Sequence, residues 1–208
     1  MNKLNFLSQY AVNNRHYDQE KEVMDELDKK RHYGPYDSIR SILNDDNIRK
    51  TKPIIDKIVS RIPHINDSWN MRLLLTNEDF NKHLTPDHEK FIIDNAHPQY
   101  DAPQHIAFNT KHHDVIEHAL KSSPLVSAAA ASNPNIRPDT LDKIIRGNDH
   151  DKGTRMSALR NGYTSTETLE WARKQDDPSI SRQAEESMRH RSRMGELLND
   201  FEKMFGSK

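Results

Sequence analysis

Apolar residues recur at helical spacing along most of this chain, and no run alternates at period two between hairpin turns. "YDSIRSILND" sets Ile39, Ile42 and Leu43 on one face. "KPIIDKIVSRI" does the same with Ile54, Ile55, Ile58, Val59 and Ile62, and Pro53 suits its first turn. "SWNMRLLLTN" carries Trp69, Leu73 and Leu74. "TPDHEKFIID" reads as a helix with Thr85 as N-cap, Pro86 at N1, and Phe91 and Ile92 facing in. Ahead of Gly34-Pro35, residues 1–33 read as a helical arm. Leu4, Leu7 and Ala11 line one face of it, Val23, Met24 and Leu27 another, among dense charge of both signs. Such a segment buries little by itself and must dock on the body or on a partner. The pattern predicts an all-α chain in three parts: an arm at 1–33, a body at 34–181, and an amphipathic C-terminal helix or tail at 182–208.

Three successive stretches of the body resemble one another. "DAPQHIAFNTKHHDVIEHALKS", "SPLVSAAAASNPNIRPDTLDKIIRG" and "GTRMSALRNGYTSTETLEWARK" align on Asn109, Asn133 and Asn161, which lie 24 and 28 residues apart. Each Asn ends a short first helix containing Ala107, Ala130 or Ala158, and a second helix follows, led by Ile116, Leu141 or Leu169. Small residues in the first helix let the next unit approach closely, and Asn tolerates the left-handed conformation that ends helices. Pro138 fits N1 of its helix, and Thr164 with Glu167 forms a candidate capping box. Each unit carries an apolar stripe that only a neighbouring unit can cover. The pattern reads as a repeat.

"AAAASNPNIRPDTLDKII" and "SALRNGYTSTETLEWA" resemble α-solenoid repeats of the HEAT-like and leucine-rich-variant types, in which an alanine-rich helix, an Asn-Pro-like turn and a Pro-Asp/Glu-x-x-Leu helix recur. The resemblance is clearest over residues 97–175. It implies a short all-helical solenoid of about five helical pairs. It implies no activity, since fold does not fix function.

Composition narrows the chemistry. Charged residues make up 30% of the 208 and the hydrophobic set only 33%, which suits a thin array of helices better than a thick globular core. The chain is rich in Asn, Lys and Ile, as many proteins of AT-rich genomes and of large tailed phages are. With no cysteine, disulfides, thiolate metal sites and a thiol nucleophile are excluded. The N-terminal stretch has no signal-peptide core, and no run is apolar enough to span a bilayer. A soluble, cytoplasmic protein without membrane contact is expected. Net charge is −1, so nucleic-acid binding would need a local basic face.

No P-loop, GxGxxG or nucleophile elbow occurs, and no enzymatic activity or cofactor is expected. His105, His112, His113, Glu117 and His118 cluster in sequence, and His113 and Glu117 are helical neighbours. No second pair completes a metal shell, so solvated helix-face histidines are the expectation. Asp45-Asp46, Asp149/Asp151 and Asp176-Asp177 sit where turn chemistry explains them. Two surfaces remain. The C-terminal "LLNDFEKMF" places Leu197, Leu198, Phe201, Met204 and Phe205 among acidic residues. This is either a helix that caps the solenoid or a helix-in-groove ligand for another protein, similar to the tails that replication and late-transcription factors insert into sliding clamps. The body carries Arg137, Lys143, Arg146, Lys152, Arg155 and Arg160, and a second basic cluster follows at Arg182, Arg189, Arg191 and Arg193. On one surface these would grip nucleic acid; the interleaved Asp139, Asp142, Asp149 and Asp151 suit an ordinary solvated face. Trp171 can stack a base or fill core. The expected function is a non-enzymatic protein–protein interaction scaffold or adaptor, of the assembly or host-directed kind a phage would encode. Nucleic-acid binding through the basic face, or clamp docking through the tail, is the alternative.

Overall fold

The computed structural model describes residues 19–25, 27, 28, 39, 41–43, 45, 50–65, 71, 74–96 and 101–205, the side chains of Asp79, 198–200 and 202–205 excepted. Leu4, Leu7, Ala11, Gly34-Pro35, Tyr36, Trp69 and Leu73 lie outside the described residues. The described residues are helical with no strand. The helices are α1 (Lys52–Arg61), α2 (Glu78–His83), α3 (Pro86–Asn95), α4 (Ala102–Asn109), α5 (His113–Ala119), α6 (Pro124–Ala131), α7 (Pro138–Arg146), α8 (Lys152–Arg160), α9 (Thr166–Arg173) and α10 (Pro178–Phe205). A 3₁₀ turn, Ile62–His64, extends α1. Two compact units divide the chain, Met1–Ile106 and Ala107–Lys208.

In the first unit α1 buries Ile54, Ile55, Ile58 and Val59, continued by Ile62, as its apolar spacing predicts. Helical residues within 19–28 lie on α1. Val23 and Leu27 are buried, the Thr51 hydroxyl donates to Glu20 Oε2 at 2.6 Å, and Asp28 pairs with Lys57 and Arg61. The second apolar face of the expected arm is thus covered from within the chain. Thr85 caps α3 as predicted, with Pro86 in the first turn. His88 completes the capping box: its Nδ1 accepts from Thr85 N–H. That leaves Nε2 to carry the proton and donate to Asp56 of α1 at 2.7 Å. Ile92 is buried, but Phe91 is 36% exposed and Ile93 takes the second inward position. The expected inward pair Phe91/Ile92 is therefore corrected to Ile92/Ile93.

In the second unit α6 packs on α8, α8 on α10, and α7 on α9. Ala107, Ala130 and Ala158 are buried, as are Ile116, Leu141 and Leu169. A hydrogen-bond ladder runs across the turns. Asn133 is fully buried; its amide N–H₂ donates to the carbonyls of Ala107 and Thr110, both at 2.9 Å. Asn161, also buried, donates to Ala131 and Asn133 carbonyls, both at 3.0 Å. Each amide oxygen in turn accepts the N–H two residues on, from Asn135 and Tyr163. The asparagines answer to two needs at once, one within their own turn and one toward the preceding turn.

Three sequence readings change here. Asn109 is the exposed last residue of α4, and the buried Thr110 holds the ladder position instead, its hydroxyl accepting from His112 N–H two residues on. Asn161 is extended, with φ −63° and ψ 129°, so its amide, not a left-handed backbone, explains its place. The expected capping box of Thr164 and Glu167 is also shifted. Ser165 is the N-cap of α9 and accepts from Thr168 N–H, while the buried Thr164 hydroxyl donates back to the Ala158 carbonyl. Pro138 stands in the first turn of α7 as predicted. A second ladder joins successive second helices: Thr140 donates to Glu117 and Thr168 to Asp142.

Candidate functional site

The last helix starts at Pro178, where Asp177 accepts the N–H groups of Ser179 and Ile180. Those bonds, with the Ser179 hydroxyl foremost and then Lys152, hold the Asp177 carboxyl well below its ordinary range. Across its first half α10 lies on α8 and α9, burying Ile180, Gln183 and Ala184. Gln183 Oε1 accepts from Arg160 Nε at 2.9 Å. One turn beyond Ser187 on the same side, the Arg191 guanidinium donates to the carbonyls of Asn161 and Thr164. Arg191 therefore bonds the Asn161 carbonyl as Asn161 bonds that of Asn133, while its second donation goes to Thr164 three residues further on. Partial burial lowers its pKa from the usual guanidinium value, against which both carbonyl bonds favour the charged form.

Beyond Arg191 the surroundings change. Every side chain from Ser192 to Leu197 is exposed, and Met194, Leu197 and Phe201 are 46%, 58% and 59% exposed. Their spacing of three and four residues sets them on one helix face. That face lies C-terminal to the stretch that buries Ile180, Gln183 and Ala184 and bonds through Arg191. The helix thus has a docked half and an open half, and the candidate site is the open one. Of the residues singled out in the tail, Leu197 and Phe201 are exposed on this half, whereas the side chains of Leu198, Met204 and Phe205 lie outside the described set.

The basic residues have other occupations. Arg155 donates through Nε and Nη2 to the Ile145 carbonyl at 3.1 and 2.9 Å, closing the C-terminal end of α7. Arg146 bonds Asp142 at 2.6 Å, reaches Glu167 at 3.4 Å and lies 5.2 Å from the Trp171 ring centre, so one face of that ring is already taken. The Asp142 carboxyl is held below its ordinary range by the Thr168 hydroxyl first and Arg146 second. Arg160 is engaged by Gln183. Lys143 faces Asp139 at 4.0 Å, largely exposed, Lys152 reaches Asp177 at 3.1 Å, and Arg137 is exposed at the N-cap of α7. In the second cluster Arg182 lies 4.0 Å from Glu186, Arg193 is exposed, and Arg189 lines an open groove together with Arg173, Glu185, Met188 and Ser192.

The histidine cluster does not assemble. Among the described residues no three metal-ligating side chains converge. Glu117 accepts the Thr140 hydroxyl of the next unit. Asp151, read from sequence as a turn residue, caps α8 by accepting Thr154 N–H. Among the described residues no helix is long and apolar enough to cross a membrane. Sequence reasoning missed Thr110, Thr140, Thr168 and Arg191 as residues that bond between successive helices of the second unit. The spacing of Thr140 and Thr168, each seven residues after its Asn, is the one signal that marks them. Neither family models, nor curated proteins, nor solved structures give a match to this chain.

Proposed function

We propose that this chain is a non-enzymatic protein–protein interaction scaffold. Its body is a short α-solenoid of HEAT-like helical pairs, closed at one end by the docked half of α10, and the open half of α10 presents an apolar stripe to a protein partner. The observation that carries this reading is the exposure of Met194, Leu197 and Phe201 on one face of a helix whose upstream turns are docked. Large apolar side chains scattered singly are ordinary, but a stripe at helical spacing is the form in which helix-in-groove ligands present their anchors. Arg146, Arg155, Arg160 and Arg191 all bond within the fold, which favours a protein partner over a phosphate backbone.

Deleting residues 196–208 tests the reading. Because every described side chain beyond Arg191 is exposed, the deletion is expected to leave the melting temperature within about 2 °C of the full chain. The same deletion is expected to abolish capture of a stoichiometric, nuclease-resistant partner in a tagged pull-down. A drop of about 5 °C or more would show that this segment is part of the folded body, and the reading would fall.

A further inference from the structure

We propose that Asn161–Gly162 is a modification site, where the side-chain amide is lost through a cyclic imide. The folded turn holds that reaction shut, and conversion, once it occurs, unlocks the ladder for good. The inference does not depend on what the open half of α10 binds. Asn-Gly occurs once in the chain. Glycine leaves its own nitrogen uncrowded, so that nitrogen can reach the side-chain carbon of the residue before it. Gly162 loses its N–H proton to solvent base as the nitrogen attacks Asn161 Cγ. The bond from Cγ to the amide nitrogen breaks, and ammonia leaves with a proton taken from solvent. Water then adds to either carbonyl of the five-membered ring and the ring C–N bond opens, giving aspartate or its β-linked isomer. The sum is asparagine and water to a carboxylic acid and ammonia, with no change of oxidation state.

Three observations carry it. First, the fold does not call for glycine here. A Cβ at Gly162 would meet nothing within 4 Å, and the backbone is not in the left-handed region. Second, the matching turn places Pro134 after Asn133. Proline has no N–H, so Asn133 is closed to this route while Asn161, with the same kind of bonds, is open to it. Third, the folded geometry of Asn161 opposes the reaction. Its ψ is 129°, whereas ring closure needs a ψ outside both main allowed regions. The amide nitrogen is held by the Ala131 and Asn133 carbonyls and the amide oxygen by Tyr163 N–H, each at 3.0 Å. Local opening of the turn must therefore come first. The product cannot return to the rung. The acid has lost both N–H donors and sets an anion against two carbonyl oxygens. The β-linked isomer also threads the main chain through the former side chain, in the turn whose Asn161 and Thr164 carbonyls receive Arg191. Conversion thus loosens the join to the Asn133 turn and the docked half of α10 together.

The experiment incubates the full chain below its melt at mildly alkaline pH, beside a synthetic peptide of residues 156–167 and the chain unfolded in urea. Peptide mapping by mass spectrometry reads amide-to-acid conversion at each asparagine. Conversion at residue 161 is expected to be at least about tenfold slower in the folded chain than in the peptide, and to match the peptide in urea. Arg191→Met removes both bonds to the turn. It is expected to speed conversion severalfold in the folded chain and to leave it unchanged in urea. Gly162→Ala is expected to suppress conversion in every arm, with a melt no lower than wild type. Converted chain, separated by its extra negative charge, is expected to melt at least about 5 °C lower and to exchange amide hydrogens faster in the docked half of α10. A folded chain that converts as fast as the peptide overturns the claim that the turn holds the reaction shut. An unfolded chain that keeps its amide at residue 161 overturns the site itself. Converted chain with the wild-type melt overturns the link to the ladder, as does an Arg191→Met chain that converts no faster than wild type.

Discussion

Replacing Asn161 with alanine removes three hydrogen bonds from a side chain that is only 7% exposed. Two are donations to the carbonyls of Ala131 and Asn133, and one is accepted from Tyr163 N–H. The two carbonyls do not suffer equally. Asn133 O still accepts from Ile136 N–H at 3.3 Å. Ala131 ends α6, where a helix leaves its last carbonyls without intrahelical donors, and it is buried, so water does not replace the lost amide. At about 1 kcal/mol net per bond, with a further penalty for the stranded carbonyl, the loss comes to about 3 kcal/mol, within a range of about 2–5. For a cooperative unit of about 100 residues that lowers the melting temperature by roughly 10–20 °C. Asn161→Asp separates the donors from the acceptor. It keeps an oxygen for Tyr163 N–H but turns an anion toward two carbonyl oxygens, so at neutral pH it is expected to cost more than alanine. Asn135→Ala is the control: the same kind of amide donates to the ladder carbonyl of Thr110 at 3.2 Å, but Asn135 is exposed and should lose less than about 0.5 kcal/mol. Urea unfolding of the three variants decides the matter. An Asn161→Ala stability within about 0.5 kcal/mol of wild type would refute the claim that the ladder holds successive units together.

Arg191→Met keeps the apolar stem and removes both carbonyl bonds, with an expected loss of about 1.5–3 kcal/mol and faster hydrogen exchange in the docked half of α10. Thr168→Val removes the main cause of the depressed Asp142 pKa. A carboxyl whose folded pKa lies below its unfolded value of about 3.9 adds stability that is complete above that value and is lost as the pH falls through the folded pKa. The wild-type advantage over Thr168→Val should thus be present in thermal melts at about pH 6 and shrink below about pH 4. A gap independent of pH would assign the effect to packing of the threonine instead.

The helices were legible because their signals are local. Pro86 and Pro138 behind Thr85 and Arg137, and the apolar spacing of α1, place starts and faces without reference to anything distant. The joins between units were only half legible. Asn133 and Asn161 stood out as matching letters, and that similarity drew Asn109 into the alignment. What the position requires is a side-chain oxygen for the N–H two residues on and a carbonyl offered to the next unit; Thr110 meets this one place later. Phe91 was misplaced for a related reason. Helical spacing admits either Phe91 or Ile93 beside Ile92, and only the packing in the first unit chooses Ile93. The shifted cap of α9 is the same kind of case: Thr164 and Ser165 both offer a hydroxyl, and Thr164 is drawn inward to the Ala158 carbonyl.

Arg191 was read from sequence as one charge in a basic cluster, yet its chemistry explains why the ladder stops where it does. An asparagine both donates to the turn before it and accepts within its own turn, so each rung forms the turn that offers carbonyls to the next. A guanidinium donates twice but has no acceptor, so it cannot form such a turn. Residue 191 accordingly lies within a continuing helix, where Asn133 and Asn161 sit in turns after α6 and α8. The substitution of Arg for Asn at this rung therefore does two things. It bonds the Asn161 and Thr164 carbonyls, and it lets α10 run on without turning back. An exposed apolar face begins three residues later, at Met194, on a helix whose preceding turns are docked through Ile180, Gln183, Ala184 and Arg191. End of ladder and start of the proposed docking surface thus meet at the same residue.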